Sequence, residues 1–235
     1  MQKVLIVEDN VIQCKEIINY ISQINENIKI YSIAYTCEEA LKFVRTEEVD
    51  IILLHLNLPD ASGTQIIEFI KENNIRKYLG SVIVITGEKC MLSSIKDSPY
   101  IFSCISKPYN LENIHKSLKN ICVTKKDDKI KNSINRELSY LKYNFSYNGT
   151  RYLAETIFEI YKKEDFLIDN LKRDIYPIIA KRHNKSVNTI CGNIKQATKC
   201  MCLDCDEKIL NNYFCYSYFV QPKLKEIIFT ILNKI

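Results

Sequence analysis

The sequence predicts a doubly wound α/β domain with a five-stranded parallel sheet over residues 1–122, a linker at 123–132, and an all-α helix-turn-helix domain over 133–235. Two patterns carry this. Short apolar runs at 4–7, 28–33, 51–54, 82–85 and 100–105 alternate with segments of helical period, as strands buried on both faces by crossover helices require. Beyond residue 133 only helical periodicities occur, at about 133–142, 151–162, 166–176, 177–183, 187–202, 206–213 and 222–235. Charge follows the same division: residues 1–122 hold 13 Lys/Arg against 15 Asp/Glu, and residues 123–235 hold 20 against 13. A mildly acidic half joined to a basic one suggests that the second half meets a polyanion.

Composition agrees with two folded domains. Of 235 residues 46% are hydrophobic and 26% charged, with 5 Gly and 5 Pro and no low-complexity tract. The chain passes from Met1-Gln2-Lys3 straight into its first strand, and no apolar run approaches the roughly 20 residues of a membrane span. A cytoplasmic protein without membrane partners is expected. Ten cysteines scattered over this length, without a secretion signal, are expected as reduced thiols.

In open parallel sheets, chemistry sits beyond the carboxyl ends of the strands, where strand order reverses. Glu8 and Asp9 follow the first run, His55 the third, Thr86 the fourth and Lys107-Pro108 the fifth. These residues are expected to line one pocket. Adjacent carboxylates suit Mg²⁺, a lysine neutralises a phosphoryl group, and a hydroxyl hydrogen-bonds it.

At these five positions about 120 residues resemble the receiver domain of bacterial two-component response regulators, which has a flavodoxin-like fold. The resemblance implies that Glu8 and Asp9 occupy a Mg²⁺ position and that Thr86 and Lys107 belong to a switch. It also implies an Asp acceptor where His55 stands, and an aromatic switch residue where Cys104 stands. A pseudo-receiver is therefore expected, with its Mg²⁺ position weak or empty and no cofactor. His55 is expected to fill the pocket, its cationic form pairing with Asp9 or Glu8. Phosphorylation of His55 itself is the enzyme-class alternative, a phosphoryl relay. No nucleophile–base constellation for hydrolysis is present, and the chain is not expected to be an enzyme.

In the second half, residues 177–186 followed by a long helix read as helix-turn-helix, with Pro177 opening the first helix and Ser186 capping the second. Pro222 is placed likewise at the start of the last helix. At 100° per residue, Val187, Ile190, Ile194, Ala197 and Met201 form one stripe, expected to be buried. The outward face then carries Asn188, Thr189, Gly192, Lys195, Gln196 and Lys199, and with Lys185 and Ser186 these are the candidate DNA contacts.

This half resembles the C-terminal DNA-binding domain of the Spo0A sporulation regulators. The carriers are Gly149-Thr-Arg-Tyr152-Leu-Ala-Glu-Thr-Ile157, Tyr161, Ile175-Tyr-Pro-Ile-Ile-Ala-Lys181, Asn184, and Ile190, Ile194 and Ala197 on the face expected to be buried. The resemblance implies a six-helix transcription factor that binds double-stranded DNA as a head-to-tail dimer. The family's outward arginines align with Thr189 and Gly192, so guanine readout is expected to differ.

Cys200, Cys202 and Cys205, with Cys191, Cys215 and His183, match no strong zinc template, and buried or half-buried thiols are the expectation. Tyr213, Phe214, Tyr216, Tyr218 and Phe219 are expected as core and dimer contacts. Taken together the residues predict a phosphorylation-independent transcription regulator, connected with sporulation or stationary phase, acting as a homodimer or as a heterodimer with a related response regulator. The alternative is a decoy that binds a related regulator and not DNA.

Overall fold

Ile51–His55 is buried at every position, as only a central strand covered on both faces can be. In the computed structural model, which describes residues 1–24, 27–47, 49–87, 95, 97–163, 170–216 and 220–235, this strand is β3. It lies between β1 (Gln2–Val7) and β4 (Val82–Thr86) in a parallel sheet of order β2-β1-β3-β4-β5, with β2 (Ile28–Ala34) and β5 (Ile101–Ser106) at the edges. The edge strands are only partly buried, and the sheet's core rests on β1, β3 and β4.

Alternation along the strands separates two apolar layers. Val4, Ile6, Ile51, Leu53, Ile83 and Ile85 face Cys14, Ile17 and Ile21 of α1 (Val11–Gln23) and Ile114, Leu118 and Ile121 of α4 (Leu111–Tyr140). Leu5, Val7, Ile52, Leu54, Val82 and Val84 face α2 (Cys37–Thr46) and α3 (Thr64–Glu72). Burying this many aliphatic side chains, each worth about 1.5–3 kcal/mol, holds the strand ends at fixed separations.

The chain divides into two compact units, 1–125 and 126–235. Residues 123–132, expected as a linker, are helical and belong to α4. Their Lys and Asp residues are compatible with a helix whose two ends bury different residues: Ile114, Leu118 and Ile121 in the first core, Ile134 and Leu138 in the second.

Among its described residues the second unit contains helices and no strand, with α5 (Asn148–Lys162), α6 (Leu171–Asp174), α7 (Tyr176–Arg182), α8 (Val187–Asp204), α9 (Glu207–Phe214) and α10 (Leu224–Leu232). The expected helix at 166–176 falls partly on residues outside the described ones, and among the described residues its helical part is α6. The expected helix at 222–235 is shorter, as α10. Pro222 lies ahead of α10 rather than inside it, because the first turn is closed by Glu226, whose Oε2 accepts from Lys223 N at 3.3 Å. Pro177 does stand in the first turn of α7, where its missing N–H costs nothing.

Candidate functional site: an acidic and imidazole pocket and a polar helix face

The strand order reverses between β1 and β3, and the pocket forms beyond their carboxyl ends. Glu8 follows β1 and is 2% exposed; His55 ends β3 and is 8% exposed. Glu8 Oε1 accepts from Asn10 N at 3.2 Å, while Glu8 Oε2 accepts from Lys107 Nζ at 3.2 Å. Lys107 also donates to Gln13 Oε1 at 3.0 Å, and its backbone N donates to Thr86 O at 2.8 Å. A buried carboxylate is thus compensated by an ammonium and a backbone donor, as burial demands.

His55 Nδ1 lies 3.6 Å from Glu8 Oε2, too far for a hydrogen bond, and has no hydrogen-bond partner. One donor atom each from Glu8, Asp9 and His55 falls within 4.8 Å of the others. Of the two carboxylates that His55 was expected to approach, Glu8 is the one paired by geometry. Thr86 is buried at the end of β4, beside Lys107 through the backbone bond above. Cys104 pairs in register with Val84 and packs with the core beneath α2 and α3.

Three neighbours escaped sequence reading. Gln13 anchors Lys107 from α1, a role a lone glutamine does not advertise. Cys14, one residue on, donates Sγ–H to Glu8 O at 3.5 Å; burial first, then Glu8 and Asp9, push its thiol up to about 11. Asp60 caps α2, accepting from Cys37 N at 2.8 Å and Glu38 N at 3.0 Å, and these donors hold its carboxyl below the usual range.

The second site is a surface of α8. Ser186 Oγ accepts from Thr189 N at 3.1 Å, so it is the expected N-cap. Asn184, with φ +50°, turns the chain between α7 and α8, a left-handed conformation asparagine tolerates. Ile190, Ile194, Ala197 and Met201 are buried and Val187 is half-buried, while Lys185, Asn188, Thr189, Gly192, Lys195, Gln196 and Lys199 are exposed. The expected inward stripe and outward face are therefore both present. Two side chains of that face are engaged locally: Thr189 Oγ1 lies 2.8 Å from Ser186 Oγ, and Gln196 Nε2 donates to Cys200 Sγ at 3.5 Å.

Gly192 has nothing within 4 Å of an added Cβ. In an exposed helical position glycine costs about 1 kcal/mol relative to alanine. Gly192→Ala is expected to raise unfolding stability by about that amount in a denaturant titration.

An ion-pair network that the sequence did not reveal braces α7. Arg182 donates to Glu155 Oε2 at 2.8 Å and to Glu159 Oε1 at 2.6 Å, and His183 Nε2 lies 2.7 Å from Glu155 Oε1. The i, i+4 spacing of the two glutamates was the one available signal. His183 also packs against Tyr152, with ring centroids 4.9 Å apart and planes tilted by 57°. Cys191 and Cys205 are buried, Cys200 and Cys202 half-buried, Cys215 exposed. Tyr213 meets Tyr140 and Phe214, and Phe214 stacks on Tyr216; Tyr218 and Phe219 lie outside the described residues.

Comparison with known proteins bears on both halves of the chain. Residues 4–119 match the response regulator receiver domain, and the first half of the chain is such a domain. Residues 134–235 match the sporulation initiation factor Spo0A C terminal. The chain is a two-component response regulator of sporulation type, a receiver followed by a Spo0A-type DNA-binding domain.

Among solved structures, similarity extends to a CheY-like receiver domain protein from Methanospirillum hungatei JF-1, at 23% identity over 55% of this chain and 98% of that one, TM-score 0.44. A two-component response regulator from Clostridium difficile matches at 22% identity over 52% and 96%, TM-score 0.44. Chemotaxis response regulator CheY4 of Vibrio cholerae matches at 20% over 52% and 98%, TM-score 0.43. Among the described residues, no helix is long and apolar enough to cross a membrane.

Receiver domains bind Mg²⁺ through acidic residues, and the donor set here tests that fit. Mg²⁺ takes oxygen ligands in near-ideal octahedral geometry. Here the three donors that fall together are two carboxylates and one imidazole nitrogen, a mixed set and not the all-oxygen one that Mg²⁺ prefers.

Proposed function

We propose that this chain is a cytoplasmic, DNA-binding transcription regulator whose receiver half works without phosphoryl transfer, and that it is not an enzyme. The carrying observation is the exposed face of α8, where Asn188, Thr189, Lys195, Gln196 and Lys199 stand together with no carboxylate among them. Seated in a major groove, the lysines meet phosphates while Asn188, Thr189 and Gln196 reach base edges. Lys185 and Ser186, ahead of the helix, add a cation and the cap. Thr189 and Gly192 stand where the resemblance implies arginines, so the preferred site differs from the family's guanine-rich contacts. Pairing with a second copy, or with a related response regulator, is part of this reading.

For the receiver half, His55 stands where the resemblance implies the accepting aspartate, and Cys104 where it implies an aromatic switch residue. An imidazole facing Glu8 at 3.6 Å offers an incoming phosphoryl group a carboxylate neighbour that repels it. Thr86 and Lys107 remain at the positions of a switch.

Fluorescence titration of duplex DNA at two salt concentrations tests the DNA reading on the full chain. Lys195→Ala is expected to weaken binding to all sequences and to lower the salt slope by about one counterion. Asn188→Ala is expected to cost about 1–3 kcal/mol on the preferred site and little on random DNA. Gly192→Arg has room for its side chain and is expected to raise affinity for guanine-containing sites. If binding stays that of a generic basic protein and no substitution changes it, the chain acts instead as a partner that modulates an authentic response regulator.

A further inference from the structure

We propose that the pocket between β1 and β3 is a binding site for a divalent transition-metal ion of the zinc class, held by His55 Nδ1, Glu8 and Asp9, and not a Mg²⁺ site. The proposal begins with an unpartnered atom. His55 Nδ1 is buried, has no hydrogen-bond partner, and is aimed at a carboxylate. A buried polar nitrogen left so demands an explanation, of which a ligand is one.

The geometry supplies a ligand's dimensions. Two donors about 2.0–2.2 Å from a tetrahedral ion stand about 3.3–3.6 Å apart. His55 Nδ1 and Glu8 Oε2 are 3.6 Å apart, and an Asp9 carboxylate oxygen lies within 4.8 Å of both. Asp9 is exposed, so its side chain can close the remaining distance without disturbing the core. Three protein donors then leave a further position open, as in sites that also bind water or an anion.

Selectivity follows from the donors. Imidazole suits zinc, copper, iron and nickel, whereas Mg²⁺ wants oxygen and gives up its waters reluctantly. Lys107 does not forbid the ion: its ammonium also holds Gln13 Oε1 at 3.0 Å and can keep that bond while sharing Glu8.

The test is calorimetric titration of the full chain with Zn²⁺ and, separately, Mg²⁺, with Co²⁺ absorption to report donor type. One Zn²⁺ per chain is expected at the pocket, with affinity falling at least about tenfold in His55→Gln and in Asp9→Asn. Asp9 is exposed, so Asp9→Asn stays informative should the buried His55→Gln misfold. Co²⁺ at this site is expected to show visible bands without a thiolate charge-transfer band. His55→Asp is expected to raise Mg²⁺ affinity at least about tenfold, since its donors become all oxygen. No Zn²⁺ binding, Zn²⁺ binding unchanged in both His55→Gln and Asp9→Asn with a thiolate band from the cysteines, or Mg²⁺ affinity unmoved by His55→Asp would each overturn the proposal. None of these outcomes depends on DNA binding.

Discussion

Incubated with acetyl phosphate and Mg²⁺, the purified chain is expected to show no mass increase of one phosphoryl group, while His55→Asp gains it in nearly stoichiometric amount. Phosphoryl transfer leaves the protein little covalent work beyond supplying an oxygen in line, charge neutralisation and positioning to within about an ångström. Charge neutralisation is present in Lys107, and Thr86 is buried at the end of the next strand. On the proposed reading, the in-line oxygen and the all-oxygen metal site are what His55 withholds. Restoring a carboxylate at the end of β3 supplies both, because Glu8, Asp9, Thr86 and Lys107 stay on strand ends that the two apolar layers hold. Intact-mass measurement decides the matter. A stoichiometric adduct mapped to His55 of the unaltered chain would return the phosphoryl relay to first place. Cys104 packs with the core in β5, so the His55→Asp protein is expected to take the phosphoryl group without a matching gain in DNA affinity.

Gly149→Ala is expected to cost about 3 kcal/mol or more of stability in the helical half, near the upper end of what overpacking does. A Cβ built on Gly149 would overlap the Asn193 carbonyl and lie 2.9 Å from Ala197 Cβ. Those are atoms of α8, and α5 and α8 form the most extensive helix–helix contact of this unit. Backbone cannot yield as a flexible side chain does, so the helices must separate, and the outward face of α8 moves with them. Thermal unfolding followed by circular dichroism checks the stability. Loss of DNA affinity in parallel is the expected companion. A Gly149→Ala protein as stable as the parent would mean that this approach is looser than the geometry states. Gly192→Ala, on the exposed face of α8, has the opposite sign, because there an added Cβ meets nothing.

The contrast between the two glycines marks where sequence reading stops. Both sit in helices of the structure, yet one is a point of contact between backbones and the other faces solvent. The same holds in the pocket. Glu8, Asp9, His55, Thr86 and Lys107 were legible because each follows a strand, and strand ends in a parallel sheet converge. Which carboxylate would face His55 was not legible, nor was the part of Gln13, since both depend on rotamers chosen by packing. Residues 123–132 read as a linker because they lack an apolar stripe; they are helical because the turns on either side supply the buried faces.

Periodicity, strand-end chemistry and the Ser186 cap are local properties, carried by spacings of two to four residues, and the amino-acid sequence by itself determined them: the sheet, the helix-turn-helix, the inward stripe of α8 and the placement of Glu8, Asp9, His55, Thr86 and Lys107 at strand ends. Distances between residues far apart in the chain were decided only by the tertiary structure. The approach of Gly149 to Asn193, the bracing of Arg182 and His183 by Glu155, and the 3.6 Å separation that leaves His55 Nδ1 without a hydrogen bond all depend on how apolar faces pack. Such contacts arise from shape and volume summed over whole helices, which no local spacing encodes.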